Sequence, residues 1–129
     1  MRALLDTSVF IAREQGRPLG ELPEEVAVSV VTISELRYGV LAAADHETRA
    51  LRLSTLETAR RLGEPLAIDK PVGDELARLR VALKAVGRAM NVMDAWIAAT
   101  AIAHGAAVCT RDADFDAAGA AGLLEVVRV

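Results

Sequence analysis

The strongest constraint on the fold is a series of short apolar segments separated by longer stretches with helical periodicity. Such segments predict strands that are buried on both faces, and they cover residues 2–5, 26–31, 106–110 and 124–129. A further stretch, residues 66–68, predicts either a short strand or an extended connector. Strands of this kind alternating with helices favour an α/β fold. We expect a three-layer sandwich with a mainly parallel central sheet of four to five short strands flanked by helices.

Helical patterns fill the stretches between the predicted strands. We predict helices over residues 9–12, 32–43, 46–62, 72–86 and 94–104, and a loop over residues 119–122. Thr32 and Glu35 have the spacing of a capping box, which places the start of the second helix at Thr32. Asp94 precedes a run of small residues and is the expected N-cap of the helix that begins there.

Composition narrows the class of protein. A chain of 129 residues with 53% hydrophobic and 26% charged residues fits one compact domain, which we assign to residues 1–129. No apolar run reaches the roughly 18–20 residues of a membrane span, and no signal peptide is expected, so we predict a cytoplasmic protein. The single Cys109 excludes an internal disulfide and a cysteine-based zinc site. A net charge of −3 argues against a general nucleic-acid coat, although 13 of the 15 cationic residues are Arg.

Acidic residues follow the predicted strands at the points where each strand ends. Asp6 follows the first strand, Glu35 lies one helical turn beyond the second, and the strand ending at Thr110 precedes Asp112 and Asp114. Asp94 begins the helix that leads into that strand, so its end of the helix lies at the same edge. Ligands of parallel sheets bind outside the carboxyl ends of the strands, where we expect these five carboxylates to gather. The alternative is that each acid only caps its own helix.

Carboxylates that meet in one pocket repel one another and raise one another's pKa values unless a cation joins them. Oxygen ligands without cysteine or a nearby histidine favour Mg²⁺ or Mn²⁺ over Zn²⁺. Such ions orient water, lower its pKa and stabilise charge during in-line displacement at phosphorus. The acids therefore indicate metal-assisted phosphodiester hydrolysis.

Four motifs in this order resemble the PIN-domain nucleases, and in length and order the chain is similar to the VapC-type ribonuclease toxins of toxin–antitoxin pairs. The motifs are Leu4–Ser8, Ser34–Leu36, Met93–Ala101 and Cys109–Phe115. The resemblance implies a PIN-like fold and a metal-dependent endoribonuclease. It also implies a homodimer held inactive by a small cognate antitoxin protein.

The resemblance also implies roles for individual residues. Asp6, Glu35, Asp94 and Asp112 fall on the family's acidic positions as catalytic residues and ligands of Mg²⁺ or Mn²⁺, with Asp114 as a supporting or alternative ligand. Thr7 or Ser8 would position water, and Thr110 would hydrogen-bond around the acids. Candidates for contacts to RNA phosphates are the arginines nearest the motifs, Arg13, Arg37 and Arg111, for which exposed solubility roles are the alternative.

Two other readings stay open at this point. One is a catalytically silent PIN-like module that only binds RNA or a protein. The other is a phosphoacceptor receiver-like domain, which also gathers acids around Mg²⁺ but carries paired acids after its first strand. Here Asp6 is followed by Thr7 and Ser8, which disfavours the receiver.

Overall fold

The computed structural model describes residues 2–129 and places a parallel sheet at the centre of the molecule. Within these residues the strands are β1 (Arg2–Leu5), β2 (Glu25–Ala27), β3 (Ala107–Thr110) and β4 (Val126–Arg128). Their order across the sheet is β2-β1-β3-β4, and every adjacent pair is parallel. Each crossover between parallel strands requires a connection over a face of the sheet, and helices supply it.

Six α-helices cover the sheet in the part of the chain that the structure describes. They are α1 (Thr7–Glu14), α2 (Val30–Leu41), α3 (His46–Arg60), α4 (Lys70–Ala85), α5 (Val92–Ala103) and α6 (Asp116–Ala120), with a short 3-10 turn at Ala113–Phe115. None of the helices in residues 2–129 combines the length and hydrophobicity needed to span a membrane.

Alternating strand residues separate the core into two layers. Leu4 and Val108 contact the cluster built by α4, α5 and α6, whereas Leu5 and Cys109 contact the cluster built by α1, α2 and α3. Successive side chains of a strand point to opposite faces, so both faces of this sheet are buried. The predicted three-layer α/β sandwich with a parallel sheet is confirmed.

The start of α2 was predicted wrongly. The strand expected over residues 26–31 ends at Ala27, and α2 already begins at Val30. Ser29 is its N-cap, and the Ser29 hydroxyl accepts a hydrogen bond from the Thr32 backbone N–H at 3.2 Å. Thr32 therefore lies inside the helix, and the capping box with Glu35 does not form. The apolar β-branched residues Val28, Val30 and Val31 are typical of a strand. The buried N-cap at Ser29 instead allows the helix to begin at Val30.

The structure also shows the conformation of two connectors. Residues 66–68 form the extended connector, one of the two predicted alternatives, and Leu66 makes one parallel bridge with Ser29. The loop expected over residues 119–122 is instead partly helical, because α6 extends to Ala120. Gly119 fits there through its missing side chain, since a Cβ atom would lie 3.1 Å from Val126 Cγ2.

Candidate active site

The chain reverses its direction across the sheet at the carboxyl ends of β1 and β3. From the adjacent central strands β1 and β3, the connections run outwards to β2 on one side and β4 on the other. This topological switch point is where α/β sheets bind ligands. A pocket of about 450 Å³ opens there, and all five predicted acids line it: Asp6, Glu35, Asp94, Asp112 and Asp114.

Asp6 is the most deeply buried of these acids, with 2% of its surface exposed. The hydroxyls of Ser8 and Thr110 donate to the same carboxylate oxygen, Asp6 Oδ2, at 2.7 and 2.9 Å. Those hydroxyls in turn accept the backbone N–H groups of Arg111 and Asp112, each at 3.0 Å. Both hydroxyl protons are thus committed to one oxygen of Asp6, which leaves Oδ1 for a ligand.

Glu35 is held by the first turn of α1. The Thr7 hydroxyl donates to Glu35 Oε1 at 2.7 Å and also lies 3.1 Å from the Thr32 hydroxyl. Thr7 and Glu35 are 28 residues apart, so this contact joins α1 to α2 across the pocket. Thr7 and Ser8 were expected to position water, and in the structure both orient carboxylates.

Asp94 lies in the first turn of α5, but it is not the N-cap that its position suggested. Asn91 is the N-cap, and its side-chain oxygen accepts the Met93 backbone N–H at 2.9 Å. The Asp94 side chain lines the pocket instead. Asn91, which the motif analysis did not assign to the site, lines it too. An Asn three residues before an acid in a helical run is the signal that could have identified this cap.

The capping alternative fails for the other acids as well. Asp6 and Asp112 occupy N-cap positions, but neither side chain makes a capping hydrogen bond. Within residues 2–129, no salt bridge neutralises any of the five pocket carboxylates. Five carboxyl groups therefore meet in one pocket, and no cationic side chain of the described residues is paired to any of them.

Burial and the proximity of the other carboxylates raise the pKa values of two of the five acids. Burial, followed by the negative charges of its neighbours, raises the pKa of Asp94 to about 7; these neighbours are Asp6, Asp114, Glu35 and Asp112. Burial together with Asp6 and Asp114 also raises the pKa of Asp112, against an opposing effect of Arg128 and Arg17. Near neutral pH the Asp94 carboxyl group is therefore partly protonated in the metal-free pocket. A cation that binds there would displace this proton.

The donor set fits a hard divalent cation, because it consists of carboxylate oxygens that line one pocket. Among residues 2–129, however, no group of three or more His, Cys, Asp or Glu side chains is arranged to hold a metal ion on its own. Mg²⁺ commonly binds through one or two carboxylates and completes its shell with waters and substrate phosphates. The pocket therefore matches a cation that is shared with a substrate better than a closed structural metal site.

The arginines are distributed differently from the prediction. Arg13 donates to Thr58 Oγ1 at 3.3 Å and does not line the pocket, and neither does Arg37. Arg111 does line it, but its guanidinium donates to the backbone carbonyls of Pro18 and Val129. Arg17, which follows the break after α1, also lines the pocket, and no motif in the sequence identified it.

Comparison with known proteins agrees with this geometry. The PIN domain family model matches residues 3–121, and the chain belongs to the PIN domain family. It is 48% identical over 128 residues to Ribonuclease VapC5 of Mycobacterium tuberculosis, an alignment that covers 98% of this chain and 94% of the relative. Ribonuclease VapC4 of the same organism is 49% identical over 118 residues, or 90% of each chain.

A solved structure shares the same architecture. It is described as a member of the VapBC family of toxin-antitoxin systems, VapBC-5, from Mycobacterium tuberculosis. The superposition has a TM-score of 0.90 at 45% identity and covers 99% of this chain and 98% of that one. The PIN-like fold and the family resemblance are confirmed, and the receiver-like reading is excluded.

Proposed function

We propose that this protein is a metal-dependent endoribonuclease of the VapC type and the toxin of a type II toxin–antitoxin pair. The observation that carries the proposal is the convergence of five unpaired carboxylates at the switch point of the sheet. The names of the relatives, which are ribonucleases, support RNA as the substrate. The VapBC-5 description supports a cognate antitoxin as the protein partner. A homodimer and a cytoplasmic location complete the proposal.

Asp6, Glu35, Asp94 and Asp112 are the proposed catalytic residues and, with Asp114, the ligands of Mg²⁺ or Mn²⁺. When bound, the cation would lower the pKa of water and stabilise charge at the scissile phosphate. The protein contributes orientation, because Ser8 and Thr110 hold Asp6 Oδ2 and Thr7 holds Glu35 Oε1. In the metal-free pocket the pKa of Asp94 is raised to about 7, so cation binding near neutral pH would displace a proton from this carboxyl group.

The test is cleavage of RNA by the purified protein with EDTA, and then with Mg²⁺ or Mn²⁺ restored. We expect EDTA to abolish cleavage, and Asp6→Asn and Asp94→Asn each to slow it by at least about 100-fold. Asp45→Asn is the matched control, because Asp45 caps α3 at an exposed site and Asn is an equally good cap. Cleavage that survives both pocket variants would point to a contaminating nuclease.

The partner is tested in cells. Expression of the chain alone should arrest growth and produce discrete RNA 5′ ends, and co-expression of the product of the adjoining gene should relieve the arrest. Unrelieved arrest would contradict the toxin–antitoxin assignment while leaving the nuclease assignment standing.

A catalytically silent binding module is the second candidate. It draws support from the observation that, in residues 2–129, no three ligands already form a metal site. Calorimetry separates the two proposals: the nuclease should take up Mn²⁺ in a way that Asp94→Asn weakens. The silent module should show no metal uptake and leave RNA intact after long incubation.

A further inference from the structure

A second pocket adjoins the acidic pocket. The second pocket has a volume of about 380 Å³ and shares Asn91, Asp94 and Asp114 with the first. Arg17 lines only the first pocket and Arg88 lines only the second. The two pockets thus meet at Asp94 and Asp114, and we refer to them together as the groove; Arg17 lines one part of it and Arg88 the other.

Arg17 is exposed, and its side chain makes no hydrogen bond or salt bridge to any residue between 2 and 129. The backbone beside it is nevertheless fixed, since the Arg111 guanidinium donates to the Pro18 carbonyl. Arg111 also reaches the Val129 carbonyl at 3.3 Å, which connects this segment to the end of β4. The anchored backbone places the Arg17 guanidinium at the pocket, so that binding a ligand has to order only the side chain.

Arg88 is the counterpart on the other side. Its backbone N–H donates to the Leu83 carbonyl at 2.9 Å, which fixes its position at the end of α4. Its side chain is exposed and, like that of Arg17, has no polar partner among the described residues. By contrast, Arg13 and Arg111 already donate to protein oxygens.

We propose that Arg17 and Arg88 bind the RNA phosphates on the two sides of the scissile linkage, so that one strand runs along the groove across the carboxylates. The inference rests on the proposed nuclease function. A pocket with five carboxylates repels a polyanion, so cationic contacts at its flanks are needed to hold the strand. Guanidinium groups match phosphate in geometry and charge. No aromatic residue among residues 2–129 lines the groove, which favours contacts to the backbone over base stacking.

The first experiment measures binding without cleavage. Anisotropy of a labelled single-stranded RNA of about twelve nucleotides is recorded with Asp94→Asn protein in Mg²⁺, from about 50 to 200 mM salt. We expect Arg17→Gln and Arg88→Gln each to weaken binding about tenfold. Each should also reduce the slope of log affinity against log salt by about 0.7, the value for one phosphate contact on a single strand.

The control for these variants is Arg61→Gln, because Arg61 is an exposed arginine at the end of α3 that does not line the groove. Compared with the Gln variants, Arg17→Lys and Arg88→Lys should restore the salt slope but only part of the affinity. Lys keeps the positive charge but cannot donate two parallel hydrogen bonds to a phosphate. If the protein binds RNA and both Gln variants behave like Arg61→Gln, the groove inference is overturned and the nuclease proposal stands. If Asp94→Asn protein does not bind RNA and the unsubstituted protein does not cleave it, both proposals fail.

A second experiment assigns each arginine to one phosphate. Once a cleavage site is mapped, RNA strands are made with an uncharged methylphosphonate at the linkage before or after it. With the methylphosphonate at the linkage that Arg17 contacts, Arg17→Gln should no longer weaken binding, whereas Arg88→Gln should weaken it as before. With the methylphosphonate at the other linkage, Arg88→Gln should have no effect and Arg17→Gln should still weaken binding. Fully additive effects at both linkages would overturn the assignment.

Discussion

Single residues decide how the acidic pocket is charged and oriented. Asp94 carries the electrostatic strain, because burial and four neighbouring carboxylates raise its pKa to about 7. The Thr110 hydroxyl orients the Asp6 carboxylate by donating a hydrogen bond to Oδ2, and it accepts a hydrogen bond from the Asp112 backbone N–H. One residue thus prepares the pocket to take a cation, and the other fixes the carboxylate that would receive it.

Asp94→Asn should stabilise the metal-free protein at and above neutral pH. The folded state keeps the Asp94 proton up to about pH 7, whereas an unperturbed carboxyl releases it near 3.8. Between these values the unfolded state binds fewer protons, so the free energy of unfolding falls as the pH rises through this window. Above about pH 7 the variant should be more stable by about 1–2 kcal/mol, after allowance for the partial exposure of Asp94.

Urea denaturation of both proteins from about pH 4 to pH 8 measures this difference. Asp74→Asn is the control, because Lys70 lowers the pKa of the exposed Asp74 and its neutralisation should bring no gain. Addition of Mg²⁺ should raise the melting temperature of the parent more than that of Asp94→Asn. Equal free energies of unfolding for the unsubstituted protein and Asp94→Asn at about pH 8 would contradict a raised pKa of Asp94.

Thr110→Val should weaken both the fold and the reaction. Valine keeps the shape of threonine but leaves the Asp112 N–H without its acceptor and Asp6 Oδ2 without one donor. We expect a loss of about 1–3 kcal/mol in urea denaturation and cleavage slower by about 10–100-fold. Thr110→Ser keeps the hydroxyl and should lie close to the parent in both assays; if it behaves like valine, packing rather than hydrogen bonding explains the effect.

The helices carry these residues to the pocket, and their caps determine where each helix begins. The Ser29 cap starts α2 early enough to bring Glu35 one turn further along the helix, opposite Thr7. Asn91, three residues before Asp94, caps α5, which frees the Asp94 carboxylate from capping. At its other end, α5 ends at Ala103, and Gly105 follows two residues later with φ +61°, a conformation that favours glycine. That turn leads the chain directly into β3.

Ser29→Ala should cost about 1 kcal/mol, because the Thr32 backbone N–H loses its acceptor at a buried helix start. Urea denaturation measures the loss. Ser54→Ala, at an exposed position inside α3, serves as the control and should change stability by less than about 0.5 kcal/mol. An unchanged Ser29→Ala protein would argue that the helix is not capped at this residue.

Across the protein as a whole, one sheet lies between two helical layers and packs against both. Leu56 belongs to the layer with α1, α2 and α3, and Leu79 to the layer with α4, α5 and α6. Both side chains are almost completely buried. Because the sheet packs against both layers, the loss of either layer exposes the strands and with them the pocket.

Leu56→Ala and Leu79→Ala should therefore each lower the stability of the whole protein by about 2–5 kcal/mol. Each variant should still unfold in one transition, with circular dichroism and tryptophan fluorescence of Trp96 changing together. Leu51→Ala, at a half-exposed position of α3, should have a much smaller effect. Two separated transitions would show that the layers unfold independently.

The order of the elements and the edge at which the acids lie follow from local properties of the amino-acid sequence. Apolar runs and helical periodicity are local properties, and parallel strands bring the residues that follow them to one edge whatever the details of packing. This reasoning predicts the positions of Asp6, Asp94 and Asp112, and all three line the pocket. The family motifs added the nuclease hypothesis to this placement.

The contacts between side chains, by contrast, depend on how the elements pack. The partners Thr110 and Asp6 are 104 residues apart, and Thr7 and Glu35 are 28 apart, so no local pattern encodes either hydrogen bond. Ser29 rather than Thr32 begins α2, and Arg17 and Arg88 line the groove, because the packing of neighbouring elements sets those positions. Periodicity fixes the face on which a residue lies, whereas its partner depends on how separate elements pack in three dimensions.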